Sequence, residues 1–566
     1  MSIYQVYLEV EPEVGCMAHI PELPGCFQRA GSQEEALSEL PHAIQAYQTW
    51  LHKHQEDIDV DDAVTLELVE VIHGFGPFKR GDSAALFAVD CQPPTPDEME
   101  KIYFRRAAYA RDDLLALTRP LPRRIHNWRA RAGEMNIAEI LRHIGNAEEW
   151  YLSRLVPPEE LPTEWEFNHQ VPVFKFLEME RKTVIDRLRR LDDEELQKVN
   201  YPAHWTNHPH EPWTARKVLR RMIEHELEHT EHIRQVLSEW RAHLHARLLA
   251  ERSLLMQLLT GLDEKTMSEA LVFNNTTVKD LLAHIAAWDE LHTQRAKLTL
   301  DSRSDDIDFV TIDEQNAAQL AACKHLSLSE ALDSFNRSRA KFLELLSTVS
   351  DLDLHHHPGK GVASIAQRAQ KRYQHDAVHA HDILRWRKRT GIQSETGPKT
   401  LLVAGLDSAF AEFLSVVSLV GLSKRQTLAV CGEWSMKDLV GHLADWNMFG
   451  VATFNSWRTG ENLQADFSRG LDAWNHEQVE LRRAVPWKQL WSDLHESHQA
   501  LVNCVQVFSQ GELISPFPVP WDADKVSPYE LALIYLGHYR EHASDVRAAL
   551  KLPGFPKRLL RYKIPL

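Results

Sequence analysis

Histidine is the residue whose number and spacing say most about the chemistry of this 566-residue chain, which contains 31 copies. In three predicted helices, one histidine is followed by another four residues later. That spacing places both imidazoles on one helix face, with Cβ atoms roughly 5–6 Å apart. The pairs are His225 with His229, His375 with His379, and His538 with His542. Two imidazoles so placed can bind one metal ion if another helix supplies a third ligand.

A single histidine upstream of each pair is the candidate third ligand. The three are His143, His284 and His442. Each lies seven residues after a residue that can cap a helix and that is followed three residues later by a carboxylate, which predicts a capping box. The caps are Asn136, Thr277 and Ser435. Three histidines with an open coordination position are typical of catalytic or exchangeable sites, and imidazole suits Zn²⁺ or Ni²⁺.

The elements that must position these histidines are helices, and they repeat along the chain. The cap, the single histidine and the histidine pair recur in units of about 150 residues, a length that suits a four-helix bundle with one long connection. The sequence therefore predicts a mainly α protein with three tandem four-helix bundles. We call residues 100–240 bundle 1, residues 241–392 bundle 2 and residues 398–552 bundle 3.

The first 95 residues have a different pattern, which predicts a small α+β domain. Residues 4–10 alternate apolar and polar side chains as a half-buried strand does, and 64–72 and 84–89 are predicted as further strands. Apolar residues at three- and four-residue steps from Leu37 to Leu51 predict a helix. A proline-rich junction at 91–97 separates this domain from bundle 1, and residues 553–566 form a basic C-terminal tail.

Composition narrows the choice of partners and compartment. The net charge of −17 argues against binding to a nucleic-acid backbone. No uncharged apolar stretch reaches 18 residues and no secretory signal pattern is present at the N-terminus, so no membrane partner is expected. Six cysteines without a CxxC pair indicate a reduced, cytoplasmic protein.

Other residues near the histidines have less specific interpretations. The segment His225-Glu-Leu-Glu-His229 also matches the HExxH string of zinc proteases, with Glu226 as the base. The corresponding positions are Asp376 and Tyr539, which disfavours that assignment. Glu148 and Asp445 are interpreted as helix-surface charges in preference to acceptors for the ligands. Trp288 and Trp446, four residues after two of the single histidines, are assigned to the bundle core in preference to a substrate wall.

The repeated arrangement resembles the DinB/YfiT-like superfamily of four-helix bundles, whose members bind a divalent metal through one histidine and a later HxxxH pair. The resemblance covers about residues 100–550, three times over. It implies that all nine histidines named above are metal ligands, and that bundles pair. Two bundles are thus expected to form an internal pseudo-dimer, and the chain could also form a homodimer.

Two shorter resemblances refine this interpretation. The segment Thr277-Val-Lys-Asp-Leu-Leu-Ala-His-Ile-Ala-Ala-Trp288 makes bundle 2 similar to the ClbS/DfsB branch, known for self-resistance to colibactin, whose members need not use a metal. The segment AHIPELPGC, followed by Gly31-Ser-Gln-Glu-Glu-Ala36, resembles the HicB-like (UPF0150) antitoxin family. A regulatory antitoxin role would need a DNA-binding module, which the sequence after residue 72 does not indicate.

Two functions from different classes remain. The first is a metal-dependent detoxification enzyme, a thiol-dependent transferase or a hydrolase that acts on an electrophilic small molecule, with a low-molecular-weight thiol as a second candidate cofactor. The second is a non-catalytic binding or self-resistance protein of ClbS type that sequesters a reactive natural product. The sequence favours the enzyme and leaves its catalytic residues, beyond the metal ligands, unidentified.

Overall fold

The N-terminal domain is a four-stranded sheet with one helix packed against it. The computed structural model describes residues 2–12, 14–61, 63–73, 83–131, 133–161, 170–308, 310–359, 361–392, 396–461, 463, 465, 467–552 and 554–555, without the side chains of 522–524. The strands are β1 (Ser2–Glu11), β2 (Gly15–His19), β3 (Phe27–Ala30) and β4 (Val64–His73), in the order β3-β2-β1-β4 with β4 parallel to β1. Helix α1 (Gln33–Lys53) begins at the cap Ser32. The predicted α+β domain is confirmed.

The strand predicted at 84–89 is wrong, because other groups take its backbone hydrogen bonds. The Glu9 carboxylate accepts from the Ser83 hydroxyl at 2.6 Å and from the Ala84 N–H at 3.0 Å. The Lys217 ammonium donates to the Ala84 carbonyl at 2.7 Å. The segment therefore satisfies its polar groups without a neighbouring strand, and a 3₁₀ helix follows it at Ala88–Cys91.

Bundle 1 consists of four long helices around one apolar core. They are α2 (Arg105–Thr118), α3 (Ile137–Leu152), α4 (Val173–Leu188) and the first part of α5 (Ala215–Thr260). Helix α3 begins at Asn136 with the predicted capping box to Glu139. The core includes Ala107, Leu152, Leu188 and Leu219, one from each helix. The domain boundary predicted at 240/241 falls inside α5.

Bundles 2 and 3 repeat this plan. Bundle 2 has the last part of α5, then α6 (Val278–Leu300), α7 (Leu328–Thr348) and α8 (Ile365–Thr390). Bundle 3 has α9 (Lys399–Ser418), α10 (Met436–Thr459), α11 (Trp487–Val507) and α12 (Pro528–Ala549). Capping boxes at Thr277 and Ser435 open α6 and α10. The mainly α fold of three tandem bundles is thus confirmed, and 556–566 of the predicted basic tail lie outside the described residues.

Short elements connect the long helices. The helical ones are Pro96–Glu98, Met99–Phe104, Arg123–His126, Pro158–Glu160, Asp193–Gln197, Glu264–Glu269, Ser304–Asp306, Ile312–Cys323, Asp351–His355, Leu422–Lys424, Leu471–Arg482 and Gln510–Leu513. Three two-stranded hairpins pair Leu271–Phe273 with Thr276–Thr277, Ala429–Cys431 with Trp434–Ser435, and Phe517–Val519 with Asp522–Val526.

The first and last helices of bundle 1 form the face on which the N-terminal domain packs. Arg220 of α5 forms ion pairs with Asp90 and, within its own helix, with Glu224. Glu224 in turn lies 2.9 Å from His19 Nδ1 of β2. On α2, Asp113 accepts a hydrogen bond from the Trp50 indole of α1 at 2.7 Å. These contacts hold the α5 turn that immediately precedes His225.

The first helix of bundle 2, α5, packs against the first and last helices of bundle 3. Tyr529 of α12 donates its hydroxyl to the carbonyl of Thr260 in α5. Arg540 of α12 binds Gln257 of α5 and Glu412 of α9. A Cβ on Gly405 of α9 would lie 2.8 Å from Thr260 Oγ1, so glycine permits the helices to approach closely.

Among the described residues, only α9 is long and apolar enough to cross a membrane by length and composition. Most of its best window is buried inside the protein. Its side chains Leu402, Leu406 and Phe413 belong to the core of bundle 3, which accounts for the apolar composition.

Candidate metal centres

The structure brings the nine predicted histidines together in three groups of three, one per bundle. The groups are His143, His225 and His229; His284, His375 and His379; and His442, His538 and His542. We call them triads 1, 2 and 3. In each group the ligand atoms lie within 4.8 Å of one another, and the single histidine comes from the second helix while the pair comes from the last.

The same ring nitrogen points inward in every triad. His225 Nε2 lies 3.1 Å from Nε2 of both His143 and His229, and His375 Nε2 has the same distances to His284 and His379. In triad 3 the distances from His538 Nε2 are 3.1 Å to His442 and 2.9 Å to His542.

This spacing fits a single ion. Two nitrogens that lie 3.1 Å apart, each about 2.05 Å from one ion, form an N–ion–N angle of about 98°. That value lies between octahedral and tetrahedral angles, so the central nitrogen of each triad can share one ion with either neighbour, and the two outer nitrogens lie within 4.8 Å of each other. Three protein nitrogens on one ion leave positions for water or substrate. The residues present therefore fit a divalent transition ion.

The triads favour neutral imidazole, which is the form that binds metal. Burial, together with repulsion from its neighbours, lowers the pKa of His229 to about 3 and that of His284 to about 4. Burial and the nearby Arg372 lower the pKa of His375 to about 2. Burial also holds the pKa values of His225 and His442 well below the usual range. At neutral pH these nitrogens carry a lone pair for an ion.

The same pKa shifts predict that the metal-free protein loses stability in acid. Histidines in the unfolded chain bind protons below about pH 6.5, whereas the folded triads resist protonation until far lower pH. The unfolded state therefore binds more protons, and the free energy of unfolding should fall as the pH drops from about 6.5 towards 4 while staying flat above about 7. Urea denaturation with chelator present at several pH values measures this dependence.

A matched variant tests the origin of that slope. Replacing His284 and His375 by Gln removes two groups whose pKa values are lowered by burial. The fall in unfolding free energy with acid should become shallower than in the parent. An unchanged slope would mean that the triads do not cause the acid sensitivity.

Beneath triad 1 lies a buried group of two arginines and two carboxylates, which we call quartet 1. Arg111 and Arg181 each bind both Glu148 and Glu226. Glu148 and Glu226 are only 2% and 1% exposed, so the interpretation of Glu148 as a surface charge is wrong. Because Glu226 is held by two arginines on the core side of α5, it is not available as the base of a zinc protease.

Bundle 2 has the same arrangement and bundle 3 a neutral substitute. In quartet 2, Arg252 and Arg339 bind Asp289 and Asp376. In bundle 3, the Tyr539 hydroxyl donates to Asn447 Oδ1 at 2.9 Å, and Asn447 Nδ2 donates to Ser497 Oγ at 3.1 Å. These groups were not predicted from the sequence, although a polar residue recurs five positions after each single histidine and one position after the first histidine of each pair.

The triads differ in the groups that orient their outer nitrogens. His542 Nδ1 lies 3.0 Å from Asp545 Oδ2, and His379 Nδ1 lies 3.4 Å from Asp382 Oδ2. A carboxylate at that nitrogen fixes Nδ1–H and leaves Nε2 free to bind an ion. In triad 2 the Arg372 guanidinium also faces His375 Nδ1, at 3.5 Å. Arginine can only donate, so it favours the opposite tautomer for His375.

Bundle 3 also places an aromatic wall beside its triad. Trp446 lies 6.1 Å from His538 and 4.9 Å from Trp474, ring centroid to ring centroid. Phe449, Phe467 and Trp521 complete the cluster. These aromatic residues are half-buried, and Trp446 and Trp521 also pack against the core of bundle 3. Asp445 is only partly exposed and pairs with Arg482 at 2.6 Å.

Comparison with known proteins agrees with these features. The model of the DinB superfamily matches residues 106–233, 247–383 and 406–546. A UPF0150 protein of Thermoplasma acidophilum is 37% identical over 60 residues, which cover 11% of this chain and 87% of that protein. No solved structure matches the chain. Proteins of the DinB superfamily generally bind a metal, and the triads are groups that could hold one.

Proposed function

Because the chain belongs to the DinB superfamily, in three tandem copies behind a UPF0150-type domain, we propose that it is a metal-dependent detoxification enzyme. In its reaction the sulfur of a thiol, or the oxygen of water, forms a bond to an electrophilic carbon of a small molecule, the leaving group departs with the bonding electron pair, and the S–H or O–H proton passes to solvent. The observation that carries this proposal is the convergence of three Nε2 atoms in each triad, with positions left open around the ion they would hold.

Triad 3 is the strongest candidate for the catalytic site, with His442, His538 and His542 as ligands. Zn²⁺ or Ni²⁺ would supply Lewis acidity there and lower the pKa of a bound water or thiol. Asp545 holds the tautomer of His542 that binds through Nε2. Trp446 and its aromatic neighbours exclude water from one side and offer an apolar surface to the substrate.

The contact between Asp545 and His542 gives a testable consequence. Replacing Asp545 by Asn should weaken metal binding at triad 3 by about 10- to 100-fold, because the orientation and basicity of His542 would no longer be fixed. Competition with a chromogenic chelator measures the affinity. An unchanged affinity would show that Asp545 does not support the ligand.

A measurement of catalytic turnover distinguishes the proposed enzyme from a non-catalytic binding protein. Metal-loaded protein is incubated with a low-molecular-weight thiol and an activated aryl chloride, and conjugate formation is followed by absorbance. The proposal expects many turnovers per chain, lost on chelation and restored by Zn²⁺ or Ni²⁺. Stoichiometric capture of the electrophile without turnover, unaffected by the chelator, would contradict it.

Such capture would support the alternative, a ClbS-type binding and self-resistance protein. Bundle 2 carries the observation that favours this function, because Arg372 opposes the ligand tautomer of His375. The two functions can coexist in one chain if bundle 3 reacts and bundle 2 binds.

Assembly and compartment complete the proposal. The contacts of Tyr529 and Arg540 with α5 support an internal pair formed by bundles 2 and 3. Light scattering would show whether the chain forms a homodimer in addition. The six cysteines form no disulfide among the described residues, which supports a cytoplasmic location.

A further inference from the structure

Bundle 2 contains a group of basic side chains that the metal centre does not use. They are His292 and Arg295 of α6, and Arg368, Lys371 and Arg372 of α8, which together we call the cationic cluster. The cluster adjoins triad 2 through Trp288. The Arg372 guanidinium lies 5.5 Å from the Trp288 ring centroid, the His292 ring stacks on Trp288 at 5.7 Å, and Trp288 lies 6.3 Å from His375.

Three members of the cationic cluster are buried without full hydrogen bonding. His292, Arg368 and Arg372 are each 3% exposed. Within the described part of the chain, neither ring nitrogen of His292 has a hydrogen-bond partner, and the Nε atoms of Arg368 and Arg372 also lack one. Buried polar groups are nearly always paired, so donors left open in one place indicate a ligand.

The nearby acidic groups do not neutralise the cluster. Asp289 lies 3.7 Å from Arg372, but Asp289 and Asp376 already pair with the two arginines of quartet 2. Arg295 donates to the backbone carbonyl of Asp308 at 2.8 Å, and the Asp308 carboxylate is its acidic neighbour. Burial and neighbouring cations lower the pKa of Lys371, and the same causes lower the pKa of Arg368 to about 10.

The positions of His292, Arg368 and Arg372 can be compared with the corresponding positions in the other two bundles. Counting from the triad histidines, Gly450 and Tyr535 of bundle 3 correspond to His292 and Arg372. A Cβ on Gly450 would lie 2.5 Å from the Tyr535 ring, so the two residues fill the space with each other. Leu531 of bundle 3 and Val218 of bundle 1 correspond to Arg368. Packing alone therefore does not require a cation here.

We propose that the cationic cluster of bundle 2 binds the carboxylate or phosphate group of a small anionic ligand, beside triad 2. Arg368 and Arg372 donate to the anion from inside the bundle, His292 donates through a ring nitrogen, and Lys371 lies exposed at the rim where the ligand enters. Charge-assisted hydrogen bonds from guanidinium groups suit both oxyanions. This site is independent of a metal and thus of the proposed enzymatic function.

Titration of the full chain with anions tests the proposal. Inorganic phosphate and succinate are titrated separately by calorimetry into protein from which metal and chelator have been removed by gel filtration, at an ionic strength held constant with sodium chloride. We expect saturable binding of one anion per chain and a rise in thermal stability with its concentration. The two arms show which oxyanion the cluster prefers, and failure of both to bind would overturn the proposal.

Two variants separate a binding role from a structural one. Arg368→Met should weaken the binding of the preferred anion at least about tenfold, while leaving the unliganded chain as stable as the parent or more stable, because an unpaired buried charge is removed. Arg337→Met, on the exposed face of α7, is the control and should change neither property. Unaltered binding in Arg368→Met, or a loss of unliganded stability, would overturn the proposal.

Discussion

Replacing both His538 and His542 by Ala should remove one divalent ion per chain. These residues supply two of the three Nε2 atoms of triad 3, which lie about 3 Å apart, and one remaining imidazole cannot hold an ion against chelation. We expect the affinity at this site to fall by more than about 100-fold, since loss of an outer carboxylate alone costs about 10- to 100-fold. Metal content after dialysis against a weak chelator measures the loss.

A histidine outside the triad provides the control for that experiment. His476 is exposed, and its Nε2 lies 3.7 Å from Oε1 of Glu480, four residues on in the same helix. His476→Ala should retain the full metal content. Equal metal content in the His538/His542 double variant and the parent would exclude triad 3 as a metal centre.

Replacing Arg339 by Ala should destabilise bundle 2 by about 3–5 kcal/mol, because it leaves buried carboxylates without one of their two cations. Arg339 is 4% exposed and binds both Asp289 and Asp376. The midpoint of urea denaturation, followed by far-ultraviolet circular dichroism, measures the effect. The expected direction does not depend on whether a metal is bound.

A neighbouring arginine on the same helix is the matched control for this loss. Arg337 is exposed, and its Nε donates to the Asp333 carbonyl at 3.3 Å. Arg337→Ala should change the unfolding free energy by less than about 0.5 kcal/mol. A similarly small effect of Arg339→Ala would contradict the view that quartet 2 is a coupled, buried set of charges.

The fold and the grouping of the histidines follow from short-range patterns. A cap such as Thr277, a carboxylate three residues later and a histidine at the seventh position determine where a helix begins and which face carries the ligand. The four-residue spacing of His375 and His379 places both of these ligands on one face of the last helix. These patterns are local, so one sequence suffices to recognise them, and their recurrence identifies the unit that is repeated.

The groups that surround the triads depend on long-range contacts and could not be predicted in this way. Glu148 is separated from Arg111 and Arg181 by more than 30 residues, and an isolated glutamate on a helix is ordinarily a surface residue. The predicted strand at 84–89 failed for the same reason, because Lys217 and Glu9 satisfy its backbone from distant segments. Local strand propensity does not decide the structure where distant residues satisfy the backbone hydrogen bonds.

The N-terminal domain covers the helices of bundle 1 that in bundle 3 are covered by another bundle. The first and last helices of bundle 3 pack against the first helix of bundle 2, through residues such as Arg540 and Gln257. Bundle 1 covers the same face with the N-terminal sheet and helix, through Arg220 and Asp113. We infer that the small domain takes the place of a bundle partner on this face of bundle 1.

The metal content of the unaltered chain tests the central claim most directly. The chain is produced in medium supplemented with Zn²⁺ and Ni²⁺, freed of loosely bound ions by gel filtration and analysed by plasma mass spectrometry. The convergent nitrogens of the triads predict at least one tightly bound ion per chain. A content below about 0.1 ion per chain would contradict the account, because neutral, inward-facing imidazoles should then have been filled.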